Sequence, residues 1–207
     1  MATIDAARLL RPGLLDGVGV LLAGGHAAPD GRERMGDAVH DACAGLAARV
    51  AWCGAIPEAP NEAQEAASDE AVAGALVEMG TIDVLVVDAA ATFAAGLGAG
   101  QLATCLQVTW AVTRSVFNLA FLPGERGGRL LYLAPPADGS EHSDAARAGL
   151  ENLSRTLSIE WSRHGVTAVT IAPGATTAGS EVAALAAFLA SPAGAYFSGC
   201  LLDLRGA

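Results

Sequence analysis

Arg129 to Gly174 contains a strand, a helix and a second strand in succession, and this unit limits the fold more than any other part of the chain. An apolar run, Leu130-Leu131-Tyr132-Leu133, leads through a Pro- and Gly-bearing loop into a helical stretch, Ser143 to His164. A second strand follows and ends at Ala172-Pro173-Gly174. Unbroken apolar strands suit a sheet covered on both faces, because polar and apolar residues alternate only where one face meets water. The same order opens the chain. Leu14-Leu15-Asp16-Gly17 turns into the apolar run Val18 to Ala23, bounded by Gly24-Gly25; helical spacing follows over Asp37 to Leu46, and a second strand over Arg49 to Cys53.

The middle of the chain continues the pattern less evenly. Residues 55–69 read as a polar, Ala-rich linker with a short helix, and Asp69 to Met79 resumes helical spacing. Ile82 to Val87 is a strongly apolar strand. Leu102 to Leu122 reads as one long helix, with Leu106, Trp110, Thr113, Phe117 and Ala120 near 3.6-residue spacing. Glu181 to Leu189 is a short helix and Tyr196 to Leu204 a last strand. The expectation is a single domain over 1–207, an α/β doubly wound parallel sheet in three α/β/α layers.

Composition narrows the function. A net charge of −10 and a pI near 4.7 exclude the clustered positive surface that nucleic acid requires. All twelve basic residues are arginines, so no Lys-dependent proton relay, Schiff base or P-loop can exist in this chain. Cys43, Cys53, Cys105 and Cys200 are widely spaced, suggest neither a zinc site nor a disulfide framework, and read as small core residues. Met1 to Leu10 carries Asp5 and Arg8 without a long apolar core, so a signal peptide is not expected and a cytoplasmic protein is. Ala89 to Thr113 is uncharged, but Gln101, Gln107 and several glycines interrupt it, and no membrane span is expected.

The run from Ser143 to Leu150, with Leu153, Leu157, Glu160, His164-Gly165-Val166 and Ala172-Pro173-Gly174, resembles the active-site helix and following strand of the short-chain dehydrogenase/reductase family. The resemblance extends from Leu14 to Gly206. It implies a Rossmann-like fold, an NAD(P) cofactor and a Tyr-x-x-x-Lys pair on the helix, where Tyr moves the proton and Lys lowers its pKa and holds the nicotinamide ribose. Here Ser143 falls in the Tyr slot and Arg147 in the Lys slot. The family's catalytic Ser falls on Ala134 or Pro135, and its relay Asn on Thr109 or Trp110. Ser143, Arg147, Ala134 and Thr109 are therefore expected to be vestigial positions with no catalytic role.

Other ligand-facing positions depart in the same way. The family's glycine turn keeps Gly24, Gly25 and Gly36 as weak cofactor-binding candidates, but its middle Gly falls on Arg34. The longer segment His26 to Glu33 adds Asp30 and Glu33. Arg32 or Arg34 could bind an anion, or the loop could simply be solvated. Gly54 stands where an acid for ribose or a base for the 2′-phosphate is often found. Val87-Asp88-Ala89-Ala90 replaces Asn-Asn-Ala-Gly, and Asp88 is expected to cap a turn or face water. The family's third strand and its lid after Pro173-Gly174 have no counterpart, so the adenine side reads as reduced and the substrate lid as missing.

These losses point to a catalytically degenerate subunit with no resident cofactor, NAD(P) being the only one the resemblance implies. Partnership is expected through helices 102–122 and 143–164 and the last strand, as a homodimer or as a heterotetramer with an active family member. Two alternatives stay open: an oxidoreductase with a displaced acid such as His142 or Tyr132, and a small-molecule sensor on the same fold. Tyr196 and the remaining histidines, His26, His40 and His164, are weaker candidates. Ser143 with Asp144 is expected to cap its helix, and Arg147, charged at any working pH, could still bond ribose hydroxyls.

Overall fold

A computed structural model of the chain describes residues 5–24, 34–57, 61–96, 100–137 and 142–204. The strands are β1 (Gly19–Gly24), β2 (Arg49–Trp52), β3 (Val84–Asp88), β4 (Gly128–Leu133), β5 (Val166–Ala172) and β6 (Cys200–Asp203). They form one all-parallel sheet in the order β2-β1-β3-β4-β5-β6. Every residue of β3 is buried, as its unbroken apolar sequence requires of a strand covered on both faces.

The helices are α1 (Ala6–Leu9), α2 (Met35–Gly45), α3 (Asn61–Met79), α4 (Ala89–Ala95), α5 (Gly100–Val116), α6 (Leu122–Gly124), α7 (Ser143–Glu160) and α8 (Gly179–Ala190). One core lies between the sheet and α3, α5 and α7, filled by Val72, Val112, Phe121, Tyr132 and Leu150 among others. The other lies between the sheet and α1, α2 and α8, where Val39, Leu46, Val182 and Ala186 meet Leu22 and Leu131. This is the three-layer doubly wound arrangement the sequence leads one to expect. The chain leaves β1 for β2 on one side and returns to β3 on the other, so the order reverses between β1 and β3. Ligands of open parallel sheets bind at the carboxyl ends of strands at such a reversal.

Several boundaries differ from expectation. The linker and short helix of residues 55–69 are replaced, from Asn61 onward, by the first turns of α3. The contact of these first turns with α5 is polar and so leaves no apolar period to read: Ser115 donates to Asp69 (2.6 Å), its hydroxyl also pairs with that of Ser68 (3.1 Å), and Arg114 donates to both Asp69 oxygens. The long helix from Leu102 ends its α-helical part at Val116 and passes through a π-helical turn, Phe117–Phe121, into α6 with Pro123. The strand expected over Ile82 to Val87 runs from Val84 to Asp88. Ser143 does not cap α7. His142 occupies the cap position at φ 69°, and Ser143 lies buried inside the first turn. β2 is an edge strand that leads directly to α3, and residues 173–178 alone join β5 to α8, so the adenine side is reduced and no lid is present among the described residues. No helix among them is long and apolar enough to cross a membrane.

Two stability expectations arise here. Ala47 ends α2 at φ 72° on the surface, a left-handed position that costs a residue with a Cβ roughly 1–2 kcal/mol. Glycine's greater backbone freedom when unfolded offsets part of that, so Ala47→Gly should stabilise by up to about 1 kcal/mol in urea denaturation. Burial pushes the Cys43 and Cys105 thiols up to about 12 and Cys53 up to about 11. The folded chain then keeps protons that unfolded thiols release above their ordinary value of 9.0. Stability is unaffected below that pH and falls as pH rises through it, by roughly 1.4 kcal/mol per thiol per pH unit. Urea midpoints on either side of this boundary check the expectation.

Candidate functional site

At the reversal point the carboxyl ends of β1 and β3 lie side by side, with Gly24 paired to Asp88. The Asp88 side chain is buried, 1% exposed. Its Oδ2 accepts the Gly36 backbone N–H at 2.8 Å, at the start of α2, and its Oδ1 accepts the Ala91 N–H at 2.9 Å, capping α4. Asp88 thus caps a turn, as one of the two expectations had it, and does not face water. Burial pushes its pKa up, while the two N–H donors and the nearby Arg34 charge favour the ionised form.

Gly24 and Gly36 are packed against this carboxylate. Gly24 has φ 138°, and a Cβ there would come within 2.7 Å of the Asp88 carbonyl oxygen. A Cβ on Gly36 would stand 2.7 Å from Cη2 of Trp52 and 3.0 Å from Asp88 Oδ2. The guanidinium of Arg34 lies 4.5 Å from the Trp52 ring centre and forks onto Asp37, Nη2 to Oδ1 at 2.6 Å and Nε to Oδ2 at 3.0 Å. That hydrogen-bonded pair raises the Arg34 pKa and lowers that of Asp37. The acid this arginine holds therefore belongs to the chain. Gly25, His26, Asp30, Arg32 and Glu33 lie outside the described residues.

A dinucleotide rests its diphosphate on the N-terminus of the helix after β1, with glycines leaving room for it. Here the Gly36 N–H is bonded to Asp88, and Trp52 and Asp88 pack closely against Gly36.

Farther along the same edge, Arg147 of α7 is 6% exposed and reaches back across the ends of β4 and β5. Its Nη1 donates to the carbonyls of Pro135 (2.8 Å) and Pro173 (2.7 Å), and its Nη2 lies 3.6 Å from Asp203 of β6. The Pro173 carbonyl also accepts the Ala137 N–H at 3.1 Å, and Ala137 bridges to Gly174, so the loops after β4 and β5 are tied together. Ala134 is buried, with its N–H on the Ile171 carbonyl. The buried Thr109 hydroxyl bonds the Cys105 carbonyl of its own helix at 2.7 Å.

Of the two displaced-acid candidates, Tyr132 gains nothing from this geometry. Tyr132 is fully buried, its hydroxyl 3.2 Å from that of Thr113, and burial holds its pKa well above the usual phenol range. Tyr132→Phe should therefore cost only about 0.5–1.5 kcal/mol, the contribution of one hydrogen bond, in thermal or urea unfolding. Tyr196 is 90% exposed, in a 3-10 turn between α8 and β6. His40 sits beside Asp41 and His164 edge-on to Phe117, in separate parts of the fold. No group of His, Cys, Asp or Glu among the described residues could hold a metal.

The structure brings Arg147, Ala134 and Pro135 together at one end of the edge and Gly24, Gly36 and Asp88 at the other. Sequence reading missed Trp52 and Asp203, and it missed that Asp88 reaches α2. The departures at Asp88 and Arg147 were the available signals, because a charged residue next to a buried strand or on a buried helix face needs a partner.

Beyond the edge, α5 and α7 lie against each other where Gly149 faces Leu106. Trp110 of α5 and Ile159 of α7 are 40% and 75% exposed, and Trp110 stacks near Trp161, which in turn stacks on Phe117.

No protein-family model and no curated protein matches the sequence. Solved structures do. The citronellol catabolism dehydrogenase of Pseudomonas aeruginosa PAO1 superposes with a TM-score of 0.72 at 28% identity, over 96% of this chain and 98% of that one. A short chain dehydrogenase from Mycobacterium smegmatis gives 0.67 at 22% identity, over 93% of each chain. A substituted short-chain dehydrogenase/reductase of Serratia marcescens gives 0.70 at 20% identity, over 92% of this chain and 96% of that one. The parallel sheet with its reversal after β1, and a likeness running through nearly the whole of these chains, give the protein the fold of the short-chain dehydrogenases/reductases on which it superposes.

Proposed function

We propose that this chain is a non-catalytic member of the family, a structural or regulatory subunit that associates through α5, α7 and β6. The observation that carries the reading is Arg147. In the slot of the family's lysine stands a guanidinium whose Nη1 bonds two backbone carbonyls of the chain, beside a buried Ser143 in the tyrosine slot. A serine hydroxyl is too weak an acid to replace a phenol, and an arginine does not lose its proton. With Thr109 bonded within its own helix and Ala134 lacking a hydroxyl, no proton path toward a substrate is supported. Losing a general acid alone slows a reaction by about 10²–10⁴.

The exposed Trp110 of α5 and Ile159 of α7 support association, because large exposed apolar groups serve as anchors in protein interfaces. The partner is a second copy or an active family member. The test is an NADH and NADPH oxidation assay against alcohol, ketone and acyl substrates, run beside light scattering of the purified chain and pull-down from its native source. The reading predicts no turnover, and either self-association or capture of a dehydrogenase. Saturable turnover, or a monomer that captures no dehydrogenase, contradicts it.

A further inference from the structure

We propose that the groove between α3 and α5 is a receptor for one arginine side chain of the associating protein. The inference rests on the reading of the chain as an associating subunit and names what its partner must present beside Trp110.

Gln64 and Glu65 of α3 and Leu106, Gln107, Trp110 and Ala111 of α5 line a groove of about 260 Å³. Sites for whole small molecules run to roughly 300–1,000 Å³, so this one suits a single side chain. Its lining is that of a cation site with an apolar wall. Trp110 is 40% exposed and offers an indole ring on which a guanidinium stacks favourably, while Leu106 and Ala111 suit a methylene stem. Glu65 supplies the charge. Its side chain is 42% exposed, and its one ion pair among the described residues is loose, 3.4 Å from Nε of Arg114. Arg114 is held elsewhere, by two bonds to Asp69 at 3.0 and 3.1 Å, and its Nε makes no hydrogen bond among the described residues. Gln64 is 3% exposed and donates its amide N–H to the Pro57 carbonyl at 3.2 Å; no donor among the described residues reaches its amide oxygen.

The surrounding charge selects the same ligand. α3 carries Glu62, Glu65, Asp69, Glu70 and Glu78 and no basic residue, and the one charged residue of α5 is Arg114. Five carboxylates against one guanidinium leave this pair of helices negative, which attracts a cation and disfavours an anion. Arginine suits the groove better than lysine. Its forked donors can serve the Glu65 carboxylate and a neighbouring amide oxygen together while its plane lies on the indole.

The test titrates the full chain with N-acetylarginine methylamide and follows the Trp110 indole N–H and the Gln64 side-chain amide by NMR. The neutral citrulline analogue and the lysine analogue serve as controls. One exposed cation–π contact and one exposed ion pair imply a Kd on the order of tens of millimolar. The arginine probe should shift both signals saturably, the lysine probe should bind more weakly, and the citrulline probe should leave both signals unmoved. Added salt should weaken the binding. Glu65→Lys should abolish the shifts and weaken association, measured by sedimentation, by about tenfold, as a like charge at the contact implies. If that variant does not fold, Glu65→Gln decides, with an expected loss of about threefold to fivefold in probe affinity. Equal responses to arginine and citrulline, unmoved Trp110 and Gln64 signals, tighter binding of the lysine probe, or a folded variant that binds the probe as wild type does would each overturn the proposal. Light scattering and pull-down keep the two readings apart. A chain that associates but ignores the arginine probe removes only this inference, while one that binds the probe yet associates with nothing removes the subunit reading and leaves the cation site.

Discussion

Arg147→Ala should destabilise the fold by about 3 kcal/mol or more, the loss of two buried charge-assisted hydrogen bonds at roughly 1.5–3 kcal/mol each. The side chain is 6% exposed and connects three elements: the Pro135 carbonyl after β4, the Pro173 carbonyl after β5, and Asp203 at the end of β6. Truncation removes the Arg147 donor from both carbonyls, leaving Pro173 with only the Ala137 N–H, and takes away the charge beside Asp203. Arg147→Lys tests the geometry separately. An ammonium on a flexible stem is a point charge without a planar fork, so it cannot span the same three acceptors. Its loss should be about 1.5–3 kcal/mol, that of one charge-assisted hydrogen bond. On the proposed non-catalytic reading it should also give no dehydrogenase activity, because the resemblance puts Ser143 where the family has its tyrosine. Urea denaturation of both variants measures the effect. An alanine variant within about 0.5 kcal/mol of wild type, the range of ordinary surface substitutions, would show that Arg147 is not a clamp.

The second large effect concerns association. Trp110→Ala should weaken complex formation by about 2 kcal/mol, or roughly thirtyfold in dissociation constant, the effect of losing an aromatic anchor. Ile159→Asp should act in the same direction by placing a charge on an apolar contact. Ile159 is 75% exposed, so its substitution should leave the isolated chain's stability nearly unchanged. Sedimentation equilibrium of the two variants, alone and with any captured dehydrogenase, checks both. Unaltered association in both variants would move the interface away from α5 and α7.

Most of the scaffold is legible in the sequence because it is written in apolar runs. Val18 to Ala23, Ile82 to Val87 and Leu130 to Leu133 are short apolar runs that read as strands buried on both faces, to within two residues of β1, β3 and β4, and the helices between them place those strands in parallel. Where a contact is polar, the pattern gives out. The first turns of α3 meet α5 through Ser68, Asp69, Arg114 and Ser115, and no hydrophobic period marks them. The π-helical turn at Phe117 is equally silent, since its residues continue the apolar spacing of α5 and only the backbone changes.

The site is half legible. Replacement of a proton-handling residue can be read position by position against a family pattern, as with Ser143 and Ala134. What the replacing residue then does depends on atoms far away in the chain. Asp88 meets Gly36 across 52 positions, and Arg147 meets Pro173 across 26. Such contacts follow from topology, and a linear pattern carries no record of them. Trp52 illustrates the same limit: it reads as the end of an apolar strand, yet its ring fills the space above Gly36.

The most direct measurement is a titration of the wild-type chain with NADPH and NADH, followed by nicotinamide fluorescence. On the proposed non-catalytic reading, neither nucleotide should produce a saturable signal. Saturable binding, coupled to oxidation of the nucleotide and abolished by Tyr132→Phe or His142→Ala, would contradict the account.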